Sequence, residues 1–318
     1  MNIGLFYDTA GSHKLENDNL FFDFSLLEEV EYVKQKLLTL GHNVTMIWDI
    51  KEFIKNIDFY KQRIDVIFNM YEGIKSRNRE GLVPAVCEAY GIAYTGSDAF
   101  GTSLTLNKFF LKLYASTLGI HVPKALRITQ NQQTIQWDLF PCIIKPEHEG
   151  SSMGVYLINN KNQLNLMLNK IIHSYNQPAL IEEYINGPEV SVCIIEENDI
   201  PEIVSIKQFS TLDGKTISVF DRDTKKLNNH ESFTPNLNKE QIDKLVEQSK
   251  NIFKSLPLHD VARIDWRISK NEEPYLLEIT PLPDWQPDAE FDSESRDLAV
   301  TLNKILTNAL KRFNREKK

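Results

Sequence analysis

Cys142-Ile143-Ile144-Lys145-Pro146 leads into Glu147-His148-Glu149-Gly150-Ser151-Ser152-Met153-Gly154, which runs on into Val155-Tyr156-Leu157-Ile158. Two short apolar runs of β type flank a loop that has glycines and two hydroxyls. Gly150 and Gly154 permit φ > 0 and leave room for a close approach, so the backbone N–H groups between them can fold around an anion. Lys145, ending the first run, supplies the opposite charge. A β-hairpin with a glycine turn and a surface lysine is the competing reading of the same residues, and the rest of the chain decides between them.

The chain has 318 residues, more than one ordinary core accommodates, and implies two or three domains. Its 42% hydrophobic and 25% charged residues are those of a globular protein. A formal net charge of −8 argues against the basic stripe that neutralises duplex phosphates, so no nucleic-acid partner is expected. No apolar run approaches the roughly 20 residues of a membrane span, and the first residues lack the basic start and apolar stretch of a signal peptide. A cytoplasmic protein with no membrane partner is expected. Cys87, Cys142 and Cys193 are widely spaced in apolar surroundings and read as buried thiols.

Residues 3–7, 44–47 and 65–68 read as strands, and 25–40 and 80–90 as helices closed by Gly41 and Gly91. This alternation predicts a parallel sheet with helices on its faces, whose ligands bind beyond the strand ends at Tyr7 and Phe68. Neither a P-loop nor a G-x-G-x-x-G pattern is present. A second unit starts near Gly96-Ser97 with a helix over 103–118 and continues through the Lys145 strand, the glycine loop, a helix over 163–172 and a strand over 179–185. Asn186-Gly187-Pro188 breaks the pattern. Strands over 190–195 and 203–206, a polar stretch over 211–229, a helix over 239–256, two more strands and a helix over 296–313 complete the chain. The expected domains are 1–96, 97–185 and 186–318.

Val261-Ala262-Arg263-Ile264-Asp265-Trp266-Arg267-Ile268 alternates strictly, with Arg263, Asp265 and Arg267 on one face and apolar residues on the other. Tyr275-Leu276-Leu277-Glu278-Ile279-Thr280 can pair with it. A two-residue turn at Asn271-Glu272 sets Asp265 opposite Glu278 and Arg263 opposite Thr280, whereas a longer turn would shift the register. Facing carboxylates repel each other. A hard divalent cation resolves the conflict, and Mg²⁺ is typically held by one or two carboxylates together with substrate phosphates. The alternative is a solvent-facing hairpin in which Arg263 and Arg267 neutralise the acids.

With the lysine strand, the glycine loop and the acidic hairpin in this order, the chain resembles the ATP-grasp ligases, and within them the D-alanine–D-alanine ligase branch. The matching stretches are Tyr94-Thr95-Gly96-Ser97, Leu106-Asn107-Lys108, Ile144-Lys145-Pro146, Gly150-Ser151-Ser152-Met153-Gly154-Val155, Ile181-Glu182-Glu183-Tyr184-Ile185, Gly187-Pro188-Glu189, and Arg263-Ile264-Asp265 with Leu277-Glu278-Ile279. The resemblance implies an α/β (α+β) protein of three domains: an N-terminal Rossmann-like parallel-sheet domain, a small central domain and a C-terminal antiparallel-sheet domain. It also implies that Lys108 and Lys145 contact ATP phosphates under a cover formed by Gly150, Ser151, Ser152, Met153 and Gly154. Glu182, Glu183, Tyr184 and Ile185 would lie beside adenine, Glu189 on the ribose, and Lys225 on a mobile loop that closes over the nucleotide. Asp265, Glu278 and Thr280 would hold Mg²⁺ or Mn²⁺, and Arg263, Lys225 and Ser152 would act in catalysis. The implied reaction joins the carboxylate of an amino acid or short peptide to an amine through an acylphosphate, in a chain that can form a homodimer.

The chain also departs from that family. Glu278-Ile279-Thr280 stands where Glu-x-Asn is usual, and Pro283-Asp284 where Pro-Gly is usual. No Glu-x-x-Val-Ser follows the first strand, and Tyr71-Glu72-Gly73 replaces a common His-Gly. Asp284-Trp285-Gln286-Pro287-Asp288-Ala289-Glu290-Phe291-Asp292 sets an aromatic ring among acids, which predicts an acceptor amine with extra positive charge or a larger side chain, held by charge complementarity and cation–π contact, against the competing reading of a solvated acidic loop. D-alanyl-D-alanine is the second candidate product. A catalytically silent ATP-binding module is the reading from a different class.

Overall fold

The computed structural model describes residues 1–9, 25–74, 76–129, 135–212, 217, 230–287, 290–291 and 297–316. β1 (Asn2–Tyr7), β2 (Asn43–Ile47) and β3 (Val66–Met70) form a parallel sheet in the order β2-β1-β3. An isolated parallel bridge between Ile67 and Tyr94 extends it. β3 is buried at every position, because helices cover both faces of the sheet and the Ile67–Tyr94 bridge covers its outer side. α1 (Leu27–Thr39) covers one face with Val30, Val33 and Leu37. The other face packs on α2 (Ile50–Lys55), α3 (Ile57–Lys61) and α4 (Leu82–Tyr90).

The helix expected over 103–118 is two helices, α5 (Ala99–Leu106) and α6 (Lys108–Thr117), broken at Asn107. The Asn107 side chain donates to the carbonyls of Ser103 at 2.5 Å and Arg77 at 3.1 Å, a local bond that competes with the helix ladder. Lys108 therefore begins a new helix. Leu111 and Ala115 of α6 pack into the core of the third sheet.

β4 (Ala125–Ile128), β5 (Cys142–Pro146), β6 (Tyr156–Ile158) and β7 (Ala179–Glu183) make an antiparallel sheet in the order β4-β7-β5-β6, backed by α7 (Lys161–Tyr175). The third sheet, in the order β10-β9-β8-β11-β12, is also antiparallel: β8 (Glu189–Glu197), β9 (Ile200–Thr211), β10 (His230–Phe233), β11 (Val261–Ile268) and β12 (Pro274–Thr280). The apolar face of β11 (Ala262, Ile264, Trp266, Ile268) packs on the helix Lys239–Ser255, which opens with an Asn238/Gln241 capping box. On the opposite side Cys193, Ile195 and Val261 join Ile3, Leu5, Phe68 and the C-terminal helix Leu298–Glu316 in one core. The first and third units are thus welded by shared apolar burial. All three cysteines are buried free thiols, as expected. Among the described residues no helix is long and apolar enough to cross a membrane.

The β11–β12 hairpin pairs Asp265 with Glu278 and Arg263 with Thr280, the expected register, by a different route. The turn is one residue longer than expected: Ser269 N–H donates to Glu273 O at 2.9 Å, and Glu272 takes a φ of 66°. A β-bulge then compensates, because Trp266 pairs with Leu276 and Leu277 is skipped. Trp285 does not offer its ring to a ligand. It is 3% exposed and lies 5.7 Å from the Phe68 ring and 5.3 Å from Phe291 in the shared core. The cation–π part of the acceptor reading therefore fails on burial.

Candidate active site

Two adjoining clefts meet at Lys108 and Glu278, which line both. The larger, of about 680 Å³, lies between the central and third sheets and gathers Lys145, Ser152, Met153, Glu182, Glu183, Tyr184, Ile185 and Glu189. Arg267, an unassigned member of the alternating β11 face, lines it too. The smaller, of about 570 Å³, is lined by Gly150, Ser151, Arg263, Thr280 and Asp284, and by Glu72 and Glu80 of the first unit. Most of the residues singled out in the sequence thus converge. Gly154 and Asp265 line neither cleft, and Lys225 lies outside the described residues.

The glycine loop is built differently from the expectation for Gly150. Positive φ falls on Ser151 (44°), Ser152 (56°) and Gly154 (69°). Two serines held in left-handed backbone store about 1–3 kcal/mol each, which the loop's anchors must offset. Those anchors are Arg79 donating to His148 O at 2.6 Å, Lys108 donating to Glu149 O at 2.5 Å and Gln177 bonded to both His148 N and Glu149. Burial, reinforced by Lys108 and Arg79, pushes His148 down to about 3, so it stays neutral and serves packing rather than proton transfer. At Gly154 a Cβ would lie 2.8 Å from Pro146 Cγ and 2.9 Å from Tyr175 Cζ. Gly154→Ala is expected to destabilise by about 1–2 kcal/mol from backbone conformation alone, read as a lowered urea midpoint at unchanged slope.

Under this loop lies a buried ionic trio that the sequence reading missed in part. Glu182 sits between Lys145 Nζ at 2.9 Å and Lys112 Nζ at 2.8 Å. Burial alone would discharge Lys145, but Glu182 and Glu278 more than offset it and hold its pKa above the ordinary lysine value. Lys112 has fewer compensating partners, and burial brings it down to about 8. The Glu182 carboxyl is depressed, burial being outweighed by its two lysines. Its carboxylate is thus committed to cations, not to a base edge. Across the cleft Arg267 stacks 5.2 Å from the Tyr184 ring, donates to Ile185 O at 3.1 Å and pairs with Glu189 at 3.3 Å. One guanidinium fixes the connector between β7 and β8.

On the hairpin, Asp265 is enclosed. Ser191 donates to its Oδ1 at 2.5 Å, and Arg263 reaches both oxygens from Nε at 3.1 and 3.2 Å, with Nη2 at 3.1 Å from Oδ2. The remaining Arg263 nitrogen, Nη1, stands 3.5 Å from Asp284 and 3.7 Å from Glu290. Glu278, opposite Asp265, lies 3.6 Å from Lys108 Nζ. The facing carboxylates are therefore each balanced by a side-chain cation. The donors for a hard divalent ion are two carboxylates on neighbouring strands, Glu278 open to both clefts and Asp265 behind it with its oxygens on Ser191 and Arg263. Among the described residues no three His, Cys, Asp or Glu side chains converge, so such an ion would complete its shell with phosphate and water, as Mg²⁺ does. Lys112, Arg79, Glu80 and Ser191 were not identified from sequence. Only Lys112 left a trace, four residues after Lys108 and so on the same side of one helix.

Residues 120–310 match the family model described as D-ala D-ala ligase C-terminus. A protein of Sinorhizobium fredii described as uncharacterized protein y4sG is 28% identical over 227 residues, 69% of this chain and 65% of that protein. The D-alanine–D-alanine ligase of Petrotoga mobilis is 27% identical over 294 residues, covering 90% of this chain and 92% of the relative. The crystal structure of D-alanine–D-alanine ligase from Bacillus anthracis complexed with ATP shares the fold, with a TM-score of 0.77 at 19% identity over 99% of both chains.

Proposed function

This chain belongs to the D-alanine–D-alanine ligase family of ATP-grasp enzymes, and we propose that it joins the carboxylate of an amino acid or short peptide to an amine at the expense of ATP. The observation that carries the reading is the meeting of the two clefts at Lys108 and Glu278. A carboxylate is a poor electrophile at neutral pH. Its oxygen attacks the γ-phosphorus of ATP, the bond to the bridging oxygen breaks, and ADP leaves behind an acylphosphate. The amine nitrogen then adds to the acyl carbon, and the tetrahedral oxyanion collapses with loss of phosphate and the amine proton.

Lys108 and Lys145 serve as point charges on the phosphates, with Ser152 and Met153 over them. Asp265, Glu278 and Thr280 would hold Mg²⁺, which neutralises charge on the transferring phosphoryl group. Arg263 Nη1 faces the smaller cleft, where it can donate to the oxyanion.

Acceptor chemistry follows from the same cleft. Glu72, Glu278 and Asp284 line it against Lys108 and Arg263, with Glu80 held by Arg79 at 3.3 Å, and both lining cations already face carboxylates. That balance supports an acceptor amine carrying extra positive charge, with no help from Trp285. The relatives named as D-alanine–D-alanine ligases support D-alanyl-D-alanine as the second candidate. A screen of ADP release over D- and L-amino acids, diamines and short peptides, with product masses read directly, tests both. Release of ADP and phosphate in step with an amide of a cationic acceptor is expected. Efficient formation of D-alanyl-D-alanine, unimproved by any other acceptor, overturns the acceptor reading. No stimulation above a Lys145→Ala control leaves a silent ATP-binding module.

A further inference from the structure

We propose that Lys112 is a positioning residue that sets both the phosphate-facing Lys145 and the metal-facing Glu278 from beneath the cleft. The inference rests on the nucleotide reading of the larger cleft. Lys112 is 2% exposed and lines neither cleft. Its ammonium joins α6 to two strands, pairing with Glu182 Oε1 on β7 at 2.8 Å and donating to Leu277 O on β12 at 2.6 Å. The other Glu182 oxygen holds Lys145 Nζ at 2.9 Å.

Each contact has a physical consequence at the cleft. Glu182 shared by two lysines leaves the trio with a net positive charge, so Lys145 retains attraction for phosphate. With Lys112 gone, Lys145 alone balances Glu182, the two become a neutral pair, and Lys145 is held more tightly to that carboxylate. At β12, Leu277 is the bulged residue that the ladder skips. A bulge leaves its extra residue unpaired, and Lys112 supplies the donor that fixes this one immediately before Glu278. Lys108, one turn earlier on α6, lines both clefts and meets Glu278 directly. Lys112 acts through others.

The test compares the full-length wild type with Lys112→Met, Lys112→Arg, Glu182→Gln and the Lys112→Met/Glu182→Gln pair. The pair removes the Glu182 charge together with Lys112, so comparison with Glu182→Gln isolates the Leu277 contact and gives a second reading should Lys112→Met alone fold poorly. Mg-ATP affinity is measured by calorimetry, and KM for ATP and kcat by ADP release. Lys112→Met is expected to raise the Kd and KM for ATP at least about tenfold and to lower kcat, with Lys112→Arg recovering most of both. Against Glu182→Gln alone, the pair is expected to lose about a further tenfold in kcat through the freed Leu277 bulge. A purely structural lysine would lower thermal stability and leave these constants unmoved. Folded Lys112→Met within about twofold of wild type in KM and kcat overturns the assignment, as does a pair indistinguishable from Glu182→Gln. If the wild type itself binds no Mg-ATP, the nucleotide reading falls and the assignment with it. Binding by the wild type with unaltered variants removes the assignment alone.

Discussion

Arg263→Lys is expected to fold normally and to lose about 10²–10³ in kcat, the cost of removing the oxyanion donor proposed above. Three carboxylates face this guanidinium: Asp265 through Nε and Nη2, and Asp284 and Glu290 through Nη1. Lysine keeps the charge they need, so the melting temperature is expected to stay near the wild-type value. It cannot keep the geometry. Arginine's planar fork holds Asp265 with two nitrogens while aiming a third into the cleft, whereas an ammonium is a point charge that settles on the nearest carboxylate. Asp265, with only 6% of its side chain exposed and opposite Glu278, is that carboxylate. ADP release and product formation should fall together while Mg-ATP affinity changes little, because the proposed nucleotide contacts lie on Lys108 and Lys145. A variant that keeps its kcat within about tenfold while folded would remove Arg263 from the chemistry.

The hairpin that carries Arg263 shows how much of the site was legible. Strict alternation over 261–268 is a period-two signal, and it placed Arg263, Asp265 and Arg267 on one face because the opposite face buries Trp266 and its neighbours. The facing of Asp265 and Glu278 was reached from a two-residue turn that does not exist. The real turn has an extra residue, and the bulge at Leu277 restores the register. Nothing in Leu276-Leu277-Glu278 marks a bulge, because its stabilising contact, Lys112, comes from far away in sequence. The break at Asn107 escaped for a related reason: apolar periodicity runs through it from Leu106 to Phe109, and the side-chain bonds that break the helix involve a loop carbonyl at Arg77.

Charge and aromaticity were read less well, since both depend on what lies nearby in space. Trp285 in an acidic stretch looked exposed, yet Phe68 and Phe291 enclose it. Glu182 looked like a strand acid beside a base, yet two buried lysines claim it. Asp8, at the end of β1, occupies the place beyond the strand where a ligand contact was expected. It instead accepts from the N–H groups of Glu72 and Gly73 at 3.0 and 2.9 Å and so shapes the loop that brings Glu72 to the smaller cleft. Local patterns fix which face a residue takes, and only the packed units decide which partner it meets.

That dependence makes the seam between the first and third units the place where a single side chain should matter most for stability. Asp260, fully buried at a φ of 62°, accepts from Asn308 Nδ2 at 2.8 Å, Gly96 N–H at 2.8 Å and Arg312 Nη2 at 2.9 Å. The same Arg312 nitrogen lies 3.0 Å from Tyr94 O and 3.1 Å from Gly96 O, while Glu196 accepts from Asp260 N–H at 3.1 Å. A helix residue near the C-terminus thereby ties the chain leaving the first sheet to the edge between β8 and β11. Arg312→Met keeps the apolar stem but strands a buried carboxylate and two carbonyls, and is expected to cost about 3–5 kcal/mol, measured by urea unfolding. Asp260→Asn should cost less, because its amide still pairs with neighbours. The double variant Arg312→Met/Asp260→Asn should then be more stable than the sum of the singles, by about 0.5–3 kcal/mol of interaction energy between contacting residues. Arg312→Met within about 1 kcal/mol of wild type, or strict additivity of the pair, would show that apolar burial alone welds the two units.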